Sequence, residues 1–163
     1  MMKNKTEITF RKAKKKDTDL ILRFIRDLAD YEKLASEVVT DRETLEASLF
    51  GDNPKAEVVF AMIGKREVGF VLFFHNFSTF LGKPGIYIED LYVKPEHRGK
   101  GVGKAILTYI ASLAKERSCG RVEWWVLHWN PARKFYESIG ARAMDEWVVY
   151  RLEGKNLDGL AGI

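Results

Sequence analysis

Apolar positions along this chain switch between a spacing of two and a spacing of three to four, and the switches predict its elements. Ile8 to Ala13 reads as a short strand, after which Thr18 caps a helix with Leu20, Ile21, Phe24, Ile25, Leu28 and Ala29 at helical intervals. Asp41 to Phe50 predicts a second short helix, ended by Gly51-Asp52-Asn53-Pro54. Two strands, about Glu57 to Ile63 and Val68 to Asn76, are joined by Gly64-Lys65-Arg66-Glu67 as a hairpin. Ser78 to Gly85 is expected to be a loop leading into a strand over Ile86 to Val93. From about Gly101 to Arg117 a helix buries Ile106, Leu107, Ile110, Leu113 and Ala114, then stops at Ser118-Cys119-Gly120. A β-rich run from Val122 to His128 follows; Trp124, Trp125 and Trp129 could line a pocket, but as alternating residues of a buried strand Trp125 and Trp129 are expected in the core. Asn130-Pro131 opens a brief helix with Phe135 and Ile139 on one face and Gly140 at its end. A last strand is expected over Arg142 to Leu152, with a final turn of helix in the tail. The order β-α-α-β-β-β-α-β-α-β predicts an α/β fold, a mixed sheet with helices on both faces.

The length, 163 residues, suits one domain with a substantial core, so residues 1–163 are read as a single domain. No apolar run is long enough to span a bilayer, and the N-terminus has basic residues without an apolar h-region, so neither a membrane partner nor a secretory signal is expected. The single cysteine, Cys119, excludes an internal disulfide and suits a reducing cytoplasm. His75, His97 and His128 lie far apart without ligand spacing, so no metal is expected. Net charge is +4, and Arg11, Lys12, Lys14, Lys15 and Lys16 form its densest cluster. Nucleic acid is not the expected partner, because no aromatic residues interleave with these lysines as a base-stacking surface requires. A modest positive charge also suits an anionic ligand.

The chemistry concentrates in IYIEDLYVKPEHRGKGVGKAILTYIASL, residues 86–113. An apolar strand runs into a glycine-rich basic turn that opens an amphipathic helix, which is an anion-binding arrangement. Glycine admits positive φ and a close backbone approach, and the unpaired amides of a new helix favour phosphate. A nucleotide-hydrolysing P-loop is excluded, since Arg98 stands at its first glycine position and Ala105 at its hydroxyl position. The spacing Gly99, Gly101, Gly103 is not that of a dinucleotide fingerprint either.

The pattern R-x-x-G-x-G after a strand resembles the coenzyme A pyrophosphate turn of the GNAT acetyltransferases. The resemblance extends over nearly the whole chain through three blocks, IYIEDLYVKPEHRGKGVG, WNPARKFYESIGA and DLILRFIRDLADYEKLASEVVT. The last block and the paired Glu89-Asp90 are most similar to the spermidine/spermine and thialysine N-acetyltransferase branch. It implies a GNAT fold, a central, mostly antiparallel sheet splayed at the cofactor strand. It also implies acetyl-CoA as cosubstrate, held by backbone groups of Leu91, Tyr92 and Val93 and by Arg98, Gly99, Lys100, Gly101, Val102, Gly103 and Lys104. Asn130 would contact the pantetheine, although the segment from Asn130 to Phe135 is one residue shorter than the family pattern.

Acetyl transfer to an amine poses two proton problems: the ammonium must lose one before it attacks, and the departing thiolate leaves more easily with one. Glu89 is the candidate base. Carboxylates that interrupt an apolar strand need a partner or a task, and a buried ion pair is the competing explanation, above all for Asp90. Regular alternation sends Glu89 and Asp90 to opposite faces unless a bulge re-aims one. Tyr136, in the F-Y-x-x-x-G-A motif of the family, is implied as general acid. For the acceptor the resemblance implies an acidic groove across a homodimer interface, with Tyr31, Glu32, Glu89 and Asp90 at matching positions. Ser78-Thr79-Phe80 replaces the Asp-x-Trp of that branch, and Phe80 can supply an aromatic wall for an ammonium. The expected acceptor is a small diamine, polyamine or lysine-like amino acid. The alternatives are a protein N-terminus, an aminoglycoside, or a coenzyme A-binding module without turnover.

Overall fold

The computed structural model describes residues 7–163, which divide into two compact units on either side of the Trp125–Val126 bond. The first contains β1 (Ile8–Lys12), α1 (Thr18–Glu32), α2 (Arg42–Phe50), β2 (Glu57–Ile63), β3 (Arg66–Ser78), β4 (Lys83–Val93), α3 (Val102–Glu116) and β5 (Val122–Trp124). The second contains α4 (Ala132–Ser138) and α5 (Gly154–Ala161).

In the first unit a five-stranded sheet has the order β1-β2-β3-β4-β5, with its first four strands antiparallel in sequence and β5 parallel to β4. Directly paired residues share a face, so Phe60, Phe70 and Tyr92 line up across β2, β3 and β4. Onto that row α1 sets Phe24, which stacks on Phe70 at 5.0 Å and meets Tyr92 edge-on at 6.2 Å. Leu45 and Leu49 of α2 extend the same cluster. The opposite face is covered by α3, whose Ile106 and Ile110 are wholly buried. Gly69 lets α3 approach, since a Cβ there would lie 2.8 Å from the Tyr92 carbonyl oxygen and 3.4 Å from Ile106 Cδ1. The predicted two-faced mixed sheet is therefore present.

Local chemistry sets the element ends. Asp41 caps α2 by accepting the Thr44 amide at 2.8 Å. Thr18 is not the cap of α1 but its first residue, buried, with Oγ1 donating to the Lys15 carbonyl at 2.7 Å. Two of the clustered cations are held by carboxylates: Arg11 by Asp17 and Glu67, each at 2.8 Å, and Lys15 by Glu46 at 2.9 Å.

Four sequence expectations are corrected. The predicted loop from Ser78 to Gly85 shrinks to residues 79–82, because β3 and β4 stay paired out to Ser78↔Lys83. The β-rich run after Val122 keeps only three residues of strand, as pairing with β4 ends at Ile88↔Trp124. Trp125 and Trp129, expected in the core, are 61% and 49% exposed, since neither lies on the strand that was to bury them. The last strand, over Arg142 to Leu152, is absent among the described residues, and its own unit has no other strand to supply a ladder. The tail, by contrast, forms a full helix, α5.

Candidate active site

The register of β3 against β4 breaks at one point. Leu72 pairs with Asp90 and Phe73 with Ile88, so Glu89 is the extra residue of a β-bulge. The bulge answers the alternation problem. Asp90 shares the α1 face with Leu72 and Tyr92, and on the other side of the bulge Tyr87 returns to that face opposite Phe74. Glu89 is exposed, and its charge raises the pKa values of both Asp90 and Tyr87. Neighbouring carboxylates thus gather on one face of a strand that strict pleating would have divided.

A third carboxylate comes from α1. Glu32, half-buried on its last turn, has its pKa raised by burial, and its charge acts on Asp90. Asp90 is pushed to about 7, first by burial and then by Glu89 and Glu32. It forms no ion pair among the described residues, so the competing explanation of a buried salt bridge does not apply. A cluster that raises its own proton affinity in this way is poised to receive a cation.

Beside the bulge the sheet opens. Among the described residues no strand pairs with the outer edge of β4 after Ile88↔Trp124, so residues 89–93 carry a free edge there. The Lys94 amide donates to the Val68 carbonyl at 2.9 Å. Counting back from that bond by antiparallel alternation, the amide and carbonyl groups of Leu91 and Val93 face outward. The Val93 carbonyl accepts from Arg98 Nε at 2.9 Å, consistent with that direction.

Beyond β4 a single 3₁₀ turn, Pro95–His97, leads into the glycine run. Gly99 and Gly101 have φ of 72° and 82°, the left-handed region that glycine occupies without strain. Gly101 is the N-cap of α3, no side chain caps it, and added Cβ atoms at Gly99, Gly101 and Gly103 would meet nothing within 4 Å. The first amides of α3, over Val102, Gly103 and Lys104, therefore start beside open space, an arrangement that suits an anion. Lys100 Nζ is turned back onto the Glu96 carbonyl at 2.8 Å. The Arg98 guanidinium packs over Tyr31 at 4.6 Å and over Tyr92 at 5.2 Å, linking the turn to α1.

Of the residues expected to bind the acceptor, Glu32, Glu89 and Asp90 are thus brought together, with Tyr31 beside Glu32 on α1. Phe80 is not: it is 93% exposed at the β3–β4 hairpin tip, with Lys83 to Glu89, roughly 20 Å of strand, between it and the bulge. In the second unit, Tyr136 lies on α4 with its ring 5.7 Å from that of Phe135, and Gly140 ends the helix at φ 89°, as its motif predicts. Asn130 Oδ1 accepts the Ala132 amide at 2.9 Å and so opens α4. One contributor was not foreseen. Tyr87 lies between Phe74 at 5.1 Å and Trp125 at 5.9 Å, and burial followed by the charges of Glu89 and Glu123 pushes its phenol to about 12. Its signal was position alone, two residues before Glu89 in an apolar strand. Among the described residues no His, Cys, Asp and Glu group could hold a metal, and no helix is long and apolar enough to cross a membrane.

The comparisons with known proteins agree with this geometry. The chain is 40% identical to a thialysine N-epsilon-acetyltransferase of Sus scrofa over 167 residues, covering 95% of this chain and 98% of the relative. It is 47% identical to an L-ornithine N5-acetyltransferase of Arabidopsis thaliana over 93 residues, 56% of this chain and 41% of that one. Among solved structures, an integron cassette protein from the mobile metagenome of V. cholerae superposes with a TM-score of 0.78 at 29% identity, covering 94% of this chain and 97% of that one. Residues 22–141 match the acetyltransferase (GNAT) family. This chain belongs to that family and is an N-acetyltransferase.

Proposed function

We propose that this enzyme transfers the acetyl group of acetyl-CoA to a primary amine of a small molecule, a diamine, polyamine or lysine-like amino acid, by direct attack in a ternary complex. The observation that carries the proposal is the three-carboxylate cluster of Glu32, Glu89 and Asp90 at the β4 bulge, next to a free strand edge and an uncapped helix N-terminus. The cluster attracts an ammonium. The edge suits the amides of an extended pantetheine, which would pair with Leu91 and Val93 as an added strand does. The amides of Val102, Gly103 and Lys104, with Arg98, suit a pyrophosphate.

Acetyl-CoA supplies an activated thioester. The chain's own residues manage the protons. Glu89 takes one from the ammonium through a water, since a carboxylate and an amine held by separate elements need not touch. Tyr136 donates one to the departing thiolate, a role it holds through its F-Y-x-x-x-G-A motif. The relatives named for thialysine and L-ornithine support an acceptor whose amine ends an alkyl chain. The proposal treats residues 1–163 as one GNAT domain, because the family match runs across residue 125. It includes a homodimer working in the cytoplasm, where the lone Cys119 stays a thiol.

The test is thiol release from acetyl-CoA with representative diamines, polyamines, lysine-like amino acids, an aminoglycoside and an N-terminal peptide. Turnover confined to small amines, lowered roughly 10²–10⁴-fold by Tyr136→Phe with acetyl-CoA binding retained, is the expected result. Turnover only with the aminoglycoside or the peptide overturns the acceptor class, and full activity of Tyr136→Phe removes the acid.

A further inference from the structure

On the α1 face below the bulge the sheet carries a polar group that acetyl transfer does not use. Glu123 pairs with Tyr87 across β4 and β5, and its Oε2 accepts a hydrogen bond from Asn76 Nδ2 and forms an ion pair with Arg121 Nε, both at 2.9 Å. Both donors converge on one carboxylate oxygen. Among the described residues, Glu123 Oε1 and the two terminal nitrogens of Arg121 have no partner. The side chains of Arg121 and Glu123 are 42% and 36% exposed, so these atoms can be reached from solvent. The geometry leaves one cationic fork and one anionic oxygen side by side. That pairing matches an α-amino acid head, whose carboxylate a guanidinium holds by two parallel hydrogen bonds and whose ammonium a carboxylate oxygen accepts.

An aromatic floor joins this pair to the bulge. Tyr87 lies two residues before Glu89, its ring tilted against that of Phe74 and perpendicular to that of Trp125. By strand rise and spacing, Glu123 is roughly 8 Å from Glu89 along this floor, a span comparable to the side chain of an ornithine or lysine-like acceptor. Apolar rings under an alkyl chain and opposite charges at its ends are what an amphipathic, dibasic amino acid needs.

We propose that Arg121 and Glu123 clamp the zwitterionic head of an amino acid acceptor, whose chain lies over Tyr87 and whose terminal amine reaches Glu89. The assignment rests on the acetyltransferase reading of Glu89 and adds to it the selection of amino acids over plain diamines. A diamine offers no carboxylate to Arg121, and Arg121 repels its distal ammonium.

The experiment compares kcat and KM for ornithine and putrescine, and for lysine and cadaverine, pairs that differ only by the carboxylate. The full chain is used at saturating acetyl-CoA and fixed salt. The native enzyme should favour each amino acid over its diamine by about tenfold or more in kcat/KM. Arg121→Met should raise KM for the amino acids by roughly 10-fold while kcat changes little, and should lower KM for the diamines, because Glu123 is then free for their ammonium. Arg121→Lys should fall between. A merely structural ion pair would instead alter kcat and KM alike for all four acceptors, and that result overturns the clamp. Equal kcat/KM for amino acid and diamine in the native enzyme also overturns it, leaving the acetyltransferase reading intact. No turnover with any of the four overturns both.

Discussion

The guanidinium carbon of Arg98 lies 4.6 Å from the centre of the Tyr31 ring. Arg98 opens the glycine turn and Tyr31 precedes Glu32 on α1, so in the proposed function the coenzyme side and the acceptor side would meet in this contact. A cation–π pair at a partly exposed position contributes about 0.5–1 kcal/mol. Tyr31→Leu should therefore raise KM for acetyl-CoA about 2–5-fold and lower kcat/KM for the amine, while Tyr31→Phe, which keeps the ring, stays close to native. Steady-state kinetics with each substrate varied in turn separates the effects. An unchanged KM for acetyl-CoA in Tyr31→Leu would leave the Val93 carbonyl and Tyr92 as the groups that hold Arg98.

Gly103 separates the needs of the fold from those of the ligand. Unlike Gly99 and Gly101 it has no positive φ, and a Cβ added there meets nothing within 4 Å. Alanine in the first turn of α3 should thus keep or raise stability, by up to about 1 kcal/mol from helix propensity. The same methyl would stand where a phosphate approaches the backbone. Gly103→Ala should show an equal or higher Tm without ligand and a weaker affinity for acetyl-CoA, measured by melting and by calorimetric titration. Gly101→Ala, at φ 82°, should lose in both.

Most of this site was legible because its parts are short and local. Arg98 to Gly103 needs only glycine chemistry and a helix start, and both are visible in consecutive residues. The bulge at Glu89 was visible only as a conflict, two adjacent carboxylates that alternation would separate; the register of β3 resolved it. Tyr87, Arg121 and Glu123 were not legible, since nothing local distinguishes a floor residue from a packing residue until β5 is laid beside β4. The failures share a cause. Strands at Trp125 to His128 and Arg142 to Leu152 were inferred from side-chain types, but a strand exists only where a neighbour completes its ladder.

Asp90 should make both stability and activity depend on pH. Its folded pKa is about 7 against an ordinary 3.8, so between those values the folded chain holds a proton that the unfolded chain has lost. Stability must then fall as pH rises from about 4 to about 7, and the loss stays fully present above that. Asp90→Asn should leave Tm unchanged near pH 4 and raise it at pH 8 by up to roughly 8–16 °C, the worth of about 4 kcal/mol in a chain of this length. In kinetics, kcat/KM for the amine should fall below pH 7 as Asp90 takes up a proton and the negative charge beside Glu89 is lost. Asp90→Asn should move that limb to lower pH. The acceptor's own deprotonation is common to both enzymes and cancels in their ratio. A Tm profile that is parallel in native and Asp90→Asn chains would show that Asp90 does not carry this proton.

The acceptor's length is limited by what Ser78 does. Its side chain is buried, and its Oγ accepts the Leu81 amide at 3.2 Å, so it holds the hairpin turn instead of offering charge to a ligand. Phe80, at the tip of the same turn, stands apart from the carboxylates. Glu32, Glu89 and Asp90 can neutralise one or two ammonium groups, which leaves the distal ammoniums of spermine only Glu123, itself paired with the repelling cation Arg121. Each such missing contact at an exposed position costs about 0.2–1 kcal/mol. A diamine or a lysine-like amino acid should therefore show a kcat/KM above that of spermine by roughly 2–10-fold, the sum of one or two such contacts. The comparison needs constant salt, because screening weakens exposed charge contacts and would flatten the difference. Substituting Ser78→Asp would disturb the turn, so the control is Phe80→Glu, which adds a carboxylate at the exposed tip. If the distal ammoniums merely lack a partner within reach of the bulge, Phe80→Glu leaves the preference unchanged; if the hairpin tip serves the acceptor, it improves spermine. A native preference for spermine would mean that charge from outside the Glu32, Glu89 and Asp90 cluster completes the site.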